Sequence, residues 1–242
     1  MTLVSRKIRP TTSPIQRTLD KVPILASLPE ASRRDLEKRC NWREFKAREQ
    51  IIDKDSDSRD VFFIVHGAVR VLNFSYSGRE VSYDDIRAGG MFGELAGIDG
   101  KPRSATVIAL RRTLVASFSP DLFRSVMKAH PDFAIAVIER LAAIIRGAND
   151  RIMDLSTLGA FSRVYAELLR LARRASKDEN NGAKLDPIPV HSDLAARCGT
   201  TRETVARAFG ELAKKGVAQK VGNALVISSM DALEDIVEGG EE

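Results

Sequence analysis

The sequence predicts an α+β protein in which an antiparallel β structure precedes a helical half. Between residues 41 and 118, short apolar runs alternate with turn signals such as Asp53–Ser58 and Gly89-Gly90. Many short strands at this spacing are typical of a sandwich or barrel. From Pro131 onward, apolar residues recur in alternating steps of three and four, which is the pattern of an amphipathic helix. The chain therefore divides into a β-rich part and a helical part.

The composition excludes several classes of protein. Of the 242 residues, 43% are hydrophobic and 29% are charged, as in a globular chain rather than a fibrous or disordered one. Lys and Arg (38) exceed Asp and Glu (33), and the resulting net charge of +5 permits a polyanionic partner. No apolar run reaches the roughly 18–20 residues that span a bilayer, and the N-terminus lacks the apolar core of a signal peptide. We expect a cytoplasmic protein with no membrane partner.

The cysteines and histidines argue against metal and redox chemistry. Cys40 and Cys198 lie far apart and no CxxC motif is present, so we expect no disulfide framework, zinc site or iron–sulfur cluster. We interpret His66, His130 and His191 as structural or solvated residues, so haem has no clear ligand. No Ser/His/Asp set or P-loop is present either. We therefore expect no catalytic residues and no enzymatic activity.

The N-terminal half contains the predicted strands. Residues 1–20 carry four basic residues and two prolines, and we interpret them as a solvated basic arm. A short helix is expected to begin near Ser32. The strand candidates are the runs Val61–Val65, Ala68–Leu72, Ala105–Ala109 and Thr113–Phe118.

A heptad seam follows Pro131. Its a and d positions are all apolar, and they are Ala134, Ile138, Leu141, Ile145, Ala148, Ile152 and Leu155. A strict 3.5-residue period over about three repeats predicts a partner helix, and hence a homodimer. The alternative is an amphipathic helix buried in the core of a single chain.

The last third of the chain predicts a small helical domain. A further helix leads to a polar linker at Ser176–Pro189. Two short helices joined by a turn at Cys198–Thr201 come next. Residues 217–227 predict a β-hairpin around Gly222-Asn223, and the tail from Asp231 onward is acidic.

The densest chemical signal lies in the β-rich half. Gly93 lets the backbone approach a ligand closely, and successive N–H groups from Gly93 to Ala96 can bind an anion at the start of a short helix. Glu94 is an acceptor suited to a sugar hydroxyl. Nine residues later, Arg103 offers a bidentate donor for a phosphate, and Ser104 adds a hydroxyl. The candidate ligand-binding residues are Phe92, Gly93, Glu94, Leu95, Ala96, Arg103 and Ser104.

The run FGELAxxxxxPRSAT resembles the phosphate-binding cassette of cyclic nucleotide-binding domains. The resemblance covers roughly residues 21–130 and implies a β-roll, or jelly roll. In such a domain Glu94 would bind the ribose 2′-hydroxyl, and Arg103 and Ser104 would bind the cyclic phosphate, with backbone contacts from the Gly93–Leu95 region. The alternative is a β-roll that uses the cassette for folding, with Arg103 in a salt bridge.

The second chemical signal is the layout of a helix-turn-helix. Gly199 permits the tight turn between two short helices, and Thr201 can cap the second helix. Arg202, Glu203 and Arg207 then share the exposed face of that helix, where Arg can bind guanine and Glu can accept from cytosine. An ordinary solvated charged face is the alternative. The candidate DNA-binding residues are Thr201, Arg202, Glu203, Thr204 and Arg207.

The run TRETVAR closely resembles the recognition helix of the CRP/FNR transcription regulators of the catabolite activator type. The order of the parts is also that of the family. It would be a basic arm (1–20), a cyclic nucleotide-binding β-roll (21–130), a dimerisation helix (131–157) and a winged helix-turn-helix (158–237). The resemblance implies a homodimer that binds double-stranded DNA at a pseudo-palindromic TGTGA-like site, with Arg202, Glu203 and Arg207 on the bases.

The resemblance implies further contacts. The hairpin after the helix-turn-helix would be a wing near the DNA backbone, with Lys214, Lys215 and Lys220 as candidate phosphate contacts. A loop near the Ser176–Pro189 linker touches RNA polymerase in relatives, so the polymerase is an expected partner. The sequence leaves open the target genes, the choice between activation and repression, and the role of the basic arm.

The expected allosteric ligand is a cyclic nucleotide, with cAMP as the first candidate and cGMP as the second. An alignment forward from Pro131 places Ala148 and Asn149 where cAMP-responsive relatives contact adenine. Ala148 cannot hydrogen-bond through its side chain, whereas Asn149 has both a donor and an acceptor, so we expect weak discrimination between adenine and guanine. The alternative is that Asn149 only fixes the register of the helix.

Three competing functions stay open. A regulator of the same fold that needs no nucleotide, or senses another small ligand, predicts that Arg103 is irrelevant to cAMP binding. An enzyme with a regulatory nucleotide domain would need a second domain large enough for an active site, and we find none. A scaffold dimer that does not bind DNA predicts that replacing Arg202 or Arg207 has no effect.

Overall fold

The computed structural model of the chain describes residues 15–175 and 181–239. Its helices are α1 (Glu30–Arg39), α2 (Glu94–Asp99), α3 (Pro120–Ala129), α4 (Pro131–Thr157), α5 (Ala160–Arg174), α6 (His191–Cys198), α7 (Arg202–Lys214) and α8 (Met230–Glu238). Its strands are β1 (Asn41–Phe45), β2 (Gln50–Ile52), β3 (Val61–His66), β4 (Ala68–Phe74), β5 (Glu80–Arg87), β6 (Met91–Phe92), β7 (Thr106–Ala109), β8 (Thr113–Phe118), β9 (Ala183–Leu185), β10 (Ala218–Val221) and β11 (Ala224–Ile227). The first fourteen residues of the expected basic arm lie outside the described residues.

The described residues form two compact units, one of residues 15–69 and 86–133 and the other of residues 70–85 and 134–239. The first unit holds the β-roll, and residues 70–85 of β4 and β5 are grouped with the second. One sheet of the roll has the strand order β1-β8-β3-β6 and the other has the order β2-β7-β4-β5. Every strand pair with a described register is antiparallel, so the predicted antiparallel β structure is confirmed.

Aromatic side chains form the centre of the first unit. The ring of Phe63 lies 4.6 Å from Phe118 and 6.5 Å from Phe123, and Phe123 packs edge-on against Phe133 at 5.8 Å. All four are fully buried, and removing a buried phenyl ring typically costs about 3–5 kcal/mol. This packing explains why the run Val61–Val65 is apolar without alternation, since it is buried on both faces of its sheet.

The helical part begins earlier than the sequence pattern predicted, because α3 precedes α4. Ser119 caps α3 by accepting a hydrogen bond from the Leu122 N–H at 3.3 Å, and Pro120 occupies the first turn. The predicted long helix is confirmed as α4. Ile138, Ile145, Ile152 and Leu155 of its heptad seam are each more than half exposed, so the seam is not the buried core of this chain.

The second unit contains a helical core closed by a small sheet. Its buried residues come from α5, α6, α7, α8 and the sheet β10-β11-β9, and they include Val164, Leu168, Leu194, Val205, Leu212, Leu225 and Leu233. The predicted hairpin is confirmed, with Ala218 opposite Ile227 and a turn at Gly222-Asn223, where Gly222 has φ +60°. This is the wing of a winged helix-turn-helix.

Two segments differ from the sequence interpretation. The Ser176–Pro189 linker contains β9, which pairs with β11 and buries Ala183 and Leu185. Two alternating apolar residues inside a polar run are too short a signal to reveal a strand. Residues 231–238 of the acidic tail lie in α8, which Ser229 caps by accepting from the Ala232 N–H at 3.1 Å.

Candidate functional site

The cassette contains a tight turn between β6 and α2. Gly93 adopts φ +80°, a left-handed conformation that favours glycine. A Cβ atom at this position would lie 2.8 Å from Nη1 of Arg103 and 2.9 Å from the carbonyl oxygen of Asp60. The structure therefore brings Gly93 and Arg103 together, and the contact between them leaves no room for a larger residue.

Arg103 is a buried cation with neutral hydrogen-bond partners. Its side chain donates from Nη1 to the Gly93 carbonyl at 3.0 Å, and from Nη2 to Ser58 Oγ and the Asp60 carbonyl, both at 2.9 Å. The residue is only 4% exposed, and its Nε–H has no hydrogen-bond partner in the described structure. Burial lowers the pKa of Arg103, although the carboxylates of Asp60 and Glu94 oppose that shift. In the described residues, Arg103 forms no salt bridge within 4.0 Å, and its hydrogen bonds there go to neutral acceptors.

The other cassette residues divide into buried and exposed positions. Glu94 is buried at the first position of α2, and Ala96 is buried two residues later. Phe92 is also buried, stacked on Phe62 with ring centroids 5.0 Å apart. Leu95 and Ser104 are exposed. Asn149, the predicted base contact, is an exposed residue of α4 in the second unit.

Sequence reasoning missed the loop that holds Arg103. Ser58 and Asp60 precede Arg103 by 45 and 43 positions, and no local pattern links them to it. The same two residues line a cavity of about 710 Å³ in the first unit. Its walls also include Arg43, Asp53 and Phe62. Arg103 is not among the residues that line this cavity, and it is connected to the cavity only through its hydrogen bonds to Ser58 and Asp60.

The helix-turn-helix has the predicted local geometry. Gly199 ends α6 with φ +61°, which turns the chain toward α7. Thr201 is the N-cap of α7, since its Oγ1 accepts a hydrogen bond from the Thr204 N–H at 3.2 Å. The Thr204 hydroxyl lies 3.1 Å from that of Thr201, and Thr204 is buried. Thr204 therefore belongs to the cap and not to the exposed face.

The charged face of α7 is open to solvent. Arg202, Glu203 and Arg207 are all exposed, and the Arg207 guanidinium lies 5.8 Å from the ring of Phe161. The pKa of the Glu203 carboxyl is lowered by hydrogen bonds from its own backbone N–H and from Thr201, and further by Arg202 and Arg207. This face therefore presents two cations and one anionic acceptor from a capped helix whose opposite face is buried.

Comparison with known proteins identifies both parts of the chain. Residues 42–130 match the cyclic nucleotide-binding domain, and residues 162–236 match the Crp-like helix-turn-helix domain. The Cyclic AMP receptor protein of Thermus thermophilus is 30% identical over 182 residues, which are 74% of this chain and 80% of that protein. The chain belongs to the CRP/FNR family of transcription regulators.

Other CRP/FNR regulators are similar over comparable lengths. A CRP-like cAMP-activated global transcriptional regulator of Mycobacterium tuberculosis is 27% identical over 173 residues, covering 72% of this chain and 77% of that protein. The structure of a CooA mutant from Carboxydothermus hydrogenoformans matches with a TM-score of 0.79 at 20% identity, covering 91% of this chain and 98% of that one. The second similarity supports the fold alone.

Both cysteines of this CRP/FNR regulator are buried, and they form no disulfide bond. Cys40 and Cys198 are free thiols, and burial raises their pKa values to about 11 and about 12. Residues 15–175 and 181–239 contain no group of three or more His, Cys, Asp or Glu side chains that could hold a metal ion. In the same residues, no helix is both long enough and apolar enough to cross a membrane.

Proposed function

We propose that this protein is a homodimeric transcription regulator gated by a cyclic nucleotide, with cAMP as the first candidate. The nucleotide would bind at the cassette, and α7 would read a pseudo-palindromic TGTGA-like DNA site. The observation that carries the ligand proposal is the guanidinium of Arg103, which is buried, forms no salt bridge within 4.0 Å among the described residues and has an Nε–H without an acceptor there.

A buried guanidinium without an anionic partner is costly. Desolvating an ion costs several kcal/mol or more unless an opposite charge or strong hydrogen bonds compensate. Within the described part of the chain, Arg103 donates to neutral acceptors and its Nε–H is free. The carboxylates of Asp60 and Glu94 act on Arg103 only from beyond salt-bridge distance. A cyclic phosphate would supply an anionic acceptor in direct contact, and charge-assisted bonds of this kind are about twice as strong as neutral ones. Glu94 would then accept from a ribose hydroxyl.

Calorimetric titration of cAMP and cGMP tests this proposal. We expect wild-type protein to bind with micromolar affinity, about −8 kcal/mol, and Arg103→Ala to lose binding by at least about tenfold, because a charged hydrogen bond contributes about 1.5–3 kcal/mol. Arg59→Ala is the matched control, since Arg59 is an exposed arginine on the loop beside Ser58. Equal affinity in Arg103→Ala and the wild type would contradict the proposal.

A second candidate is a regulator of the same fold that needs no nucleotide. The observation in its favour is that both terminal nitrogens of Arg103 already donate to Gly93, Ser58 and Asp60. Arg103 would then only join the 58–60 loop to the cassette. This candidate predicts that Arg103→Ala lowers the melting temperature while neither nucleotide binds to wild-type protein.

Dimerisation and partner binding complete the proposal. The exposed apolar seam of α4 offers a surface for the same helix of a second copy. A two-fold dimer would place two α7 helices on half-sites about one helical turn apart. RNA polymerase stays a proposed partner of the 176–189 segment. Reconstituted transcription with residues 177–180 deleted tests that contact, because this deletion spares β9.

A further inference from the structure

The outer part of the β4–β5 hairpin, residues 70–85, belongs to the same compact unit as the helix-turn-helix. Its arginines contact α6 and the turn that leads to α7. We call Arg70, Arg79 and Asp85 the hairpin clamp. Each of the three bonds to a residue between Asp193 and Thr200.

Arg70 forms the buried centre of the hairpin clamp. Its guanidinium binds Asp85 through two hydrogen bonds, from Nε at 2.7 Å and from Nη2 at 2.9 Å. Nη2 also donates to Asp193 Oδ2 at 2.6 Å. Asp193 lies in the first turn of α6, so this contact joins β4 to the first helix of the helix-turn-helix.

A second arginine completes the ion-pair cluster. Arg197, in the last turn of α6, donates to Asp85 Oδ2 and, at 3.1 Å, to Glu167 Oε1 of α5. Asp85 therefore accepts from one arginine of the hairpin and one of α6. Burial acts to raise the pKa of Asp85, but the two arginines outweigh it and lower that pKa. Opposite charges on the hairpin and on α6 hold the cluster together. It contacts α6 at Asp193 in the first turn and at Arg197 in the last turn.

Arg79 reaches the turn itself. Its Nη2 donates to the backbone carbonyl of Thr200. Thr200 immediately precedes Thr201, the N-cap of α7, so the contact lies one residue from the N-cap of the recognition helix. Arg202 and Glu203 nevertheless remain exposed. The hairpin clamp thus contacts the turn and α6 and leaves the charged face of α7 uncovered.

We propose that Arg79 and Arg70 are positioning residues for DNA recognition, which hold the turn and α6 so that α7 is presented in one orientation. Without them, α7 would keep its helix but would have to lose orientational freedom when it binds DNA. Preorganisation of this kind raises affinity without adding a contact to the ligand. The DNA arm of the test rests on the proposed function, and the exchange arm below does not.

The DNA arm compares Arg79→Met with Arg87→Met. Both residues are exposed arginines of the β4–β5 hairpin, but Arg79 is the one that bonds to the turn. The probe is a duplex with two TGTGA half-sites about one helical turn apart. We expect Arg79→Met to weaken binding about 3- to 10-fold, with an unchanged melting temperature and an unchanged slope of log affinity against log salt. Arg87→Met should bind like wild type, and Arg79→Lys should recover part of the loss.

The exchange arm measures amide hydrogen exchange in the protein without DNA. The Thr200 N–H donates to the Ala195 carbonyl at 3.0 Å, and the Val205 N–H donates to the Thr201 carbonyl at 3.1 Å. We expect both amides to exchange roughly threefold faster or more in Arg79→Met, and at the wild-type rate in Arg87→Met, since loss of the clamp lowers the free energy of local opening. If wild-type protein does not bind the duplex, the proposed DNA function fails for that site. The exchange measurement still shows whether Arg79 stabilises the turn before α7.

Asp193→Asn tests the contact between Arg70 and α6. This variant keeps the buried Arg70 side chain in place, so it creates no cavity. Asp231→Asn is its matched control, because Asp231 is likewise a first-turn aspartate, on α8. We expect faster exchange at Thr200 and weaker DNA binding in Asp193→Asn only. Unchanged exchange in both Arg79→Met and Asp193→Asn would overturn the proposal. So would tighter DNA binding, or a salt slope less steep by about 0.9 in Arg79→Met, which would indicate a direct phosphate contact.

Discussion

The carbonyl oxygen of Gly93 accepts a hydrogen bond from Nη1 of Arg103 at 3.0 Å. This bond closes the cassette, because it joins the turn before α2 to the arginine ten residues later. The same guanidinium binds the 58–60 loop through its other terminal nitrogen. One side chain thus holds two loops of the first unit, and its Nε–H stays free within the described residues.

Replacing Gly93 should be more harmful than replacing an ordinary turn glycine. Gly93→Ala would combine a left-handed backbone with a Cβ less than 3 Å from both Arg103 and Asp60. We expect a loss of about 1–3 kcal/mol in the free energy of unfolding, measured by urea denaturation. Gly78→Ala is the control, because Gly78 has φ +76° and a Cβ added there would meet no described atom within 4 Å. Equal losses in the two variants would show that the close contact is unimportant.

The seam of α4 predicts the oligomeric state. Ile145 is 59% exposed in the single chain, so Ile145→Asp should not disturb the core of that chain. The added charge should instead oppose the pairing of two apolar seams. We expect sedimentation velocity to give a dimer for wild-type protein and a monomer for Ile145→Asp. Arg146→Asp, an exposed position next to the seam, should remain dimeric. A monomeric wild type, or a dimeric Ile145→Asp, would contradict the prediction.

The face of α7 predicts two different effects on DNA binding. Arg202→Ala should reduce affinity for the TGTGA-like site by about 1–3 kcal/mol and relax base preference at one position, as loss of a bidentate base contact does. Lys220→Ala should weaken binding to all sequences and reduce the salt slope by about 0.9, as loss of a phosphate contact does. Fluorescence anisotropy over a salt series separates the two. No change in either variant would favour a scaffold that does not bind DNA.

The Asn149 hypothesis concerns the choice of base. If the amide contacts the base, Asn149→Ala should weaken cAMP or cGMP binding by roughly 2- to 10-fold, since a neutral hydrogen bond contributes about 0.5–1.5 kcal/mol. The ratio of the two affinities should change as well. Asp150→Ala is a control at the next exposed position. Both quantities are measured by calorimetry. An unchanged affinity and an unchanged ratio would contradict the base contact and favour the alternative, in which Asn149 only fixes the register of the helix.

Local patterns predicted the elements whose physical cause is local. The heptad spacing predicted α4, because helical periodicity depends only on neighbouring residues. Thr201 and Gly199 predicted the cap and the turn before α7, since both depend on the backbone preference of a single residue. The run FGELAxxxxxPRSAT predicted that Gly93 and Arg103 belong to one site. That prediction is also local, because only ten positions of the chain separate the two residues.

Short or mixed signals left other elements unpredicted. The strand β9 has three residues and a polar centre, Lys184, so its own sequence does not distinguish it from a linker. Only pairing with β11 makes it a strand. The helix α3 has ten residues and begins at a proline behind an isolated serine cap, so its period is too brief to separate it from the longer pattern that starts at Pro131.

The family, the order of the two parts, the cassette and the charged face of α7 can all be recognised from the order of the amino acids. Tertiary structure decided which groups surround them. Arg103 meets Ser58 across 45 positions, and Arg70 meets Asp193 across 123. Contacts between residues so far apart in the chain leave no periodic pattern in the sequence. Many serines and carboxylates could serve equally well as the partner of a given arginine. Their pairing follows from the fold, which buries both guanidinium groups and leaves each cation with the acceptors placed within its reach.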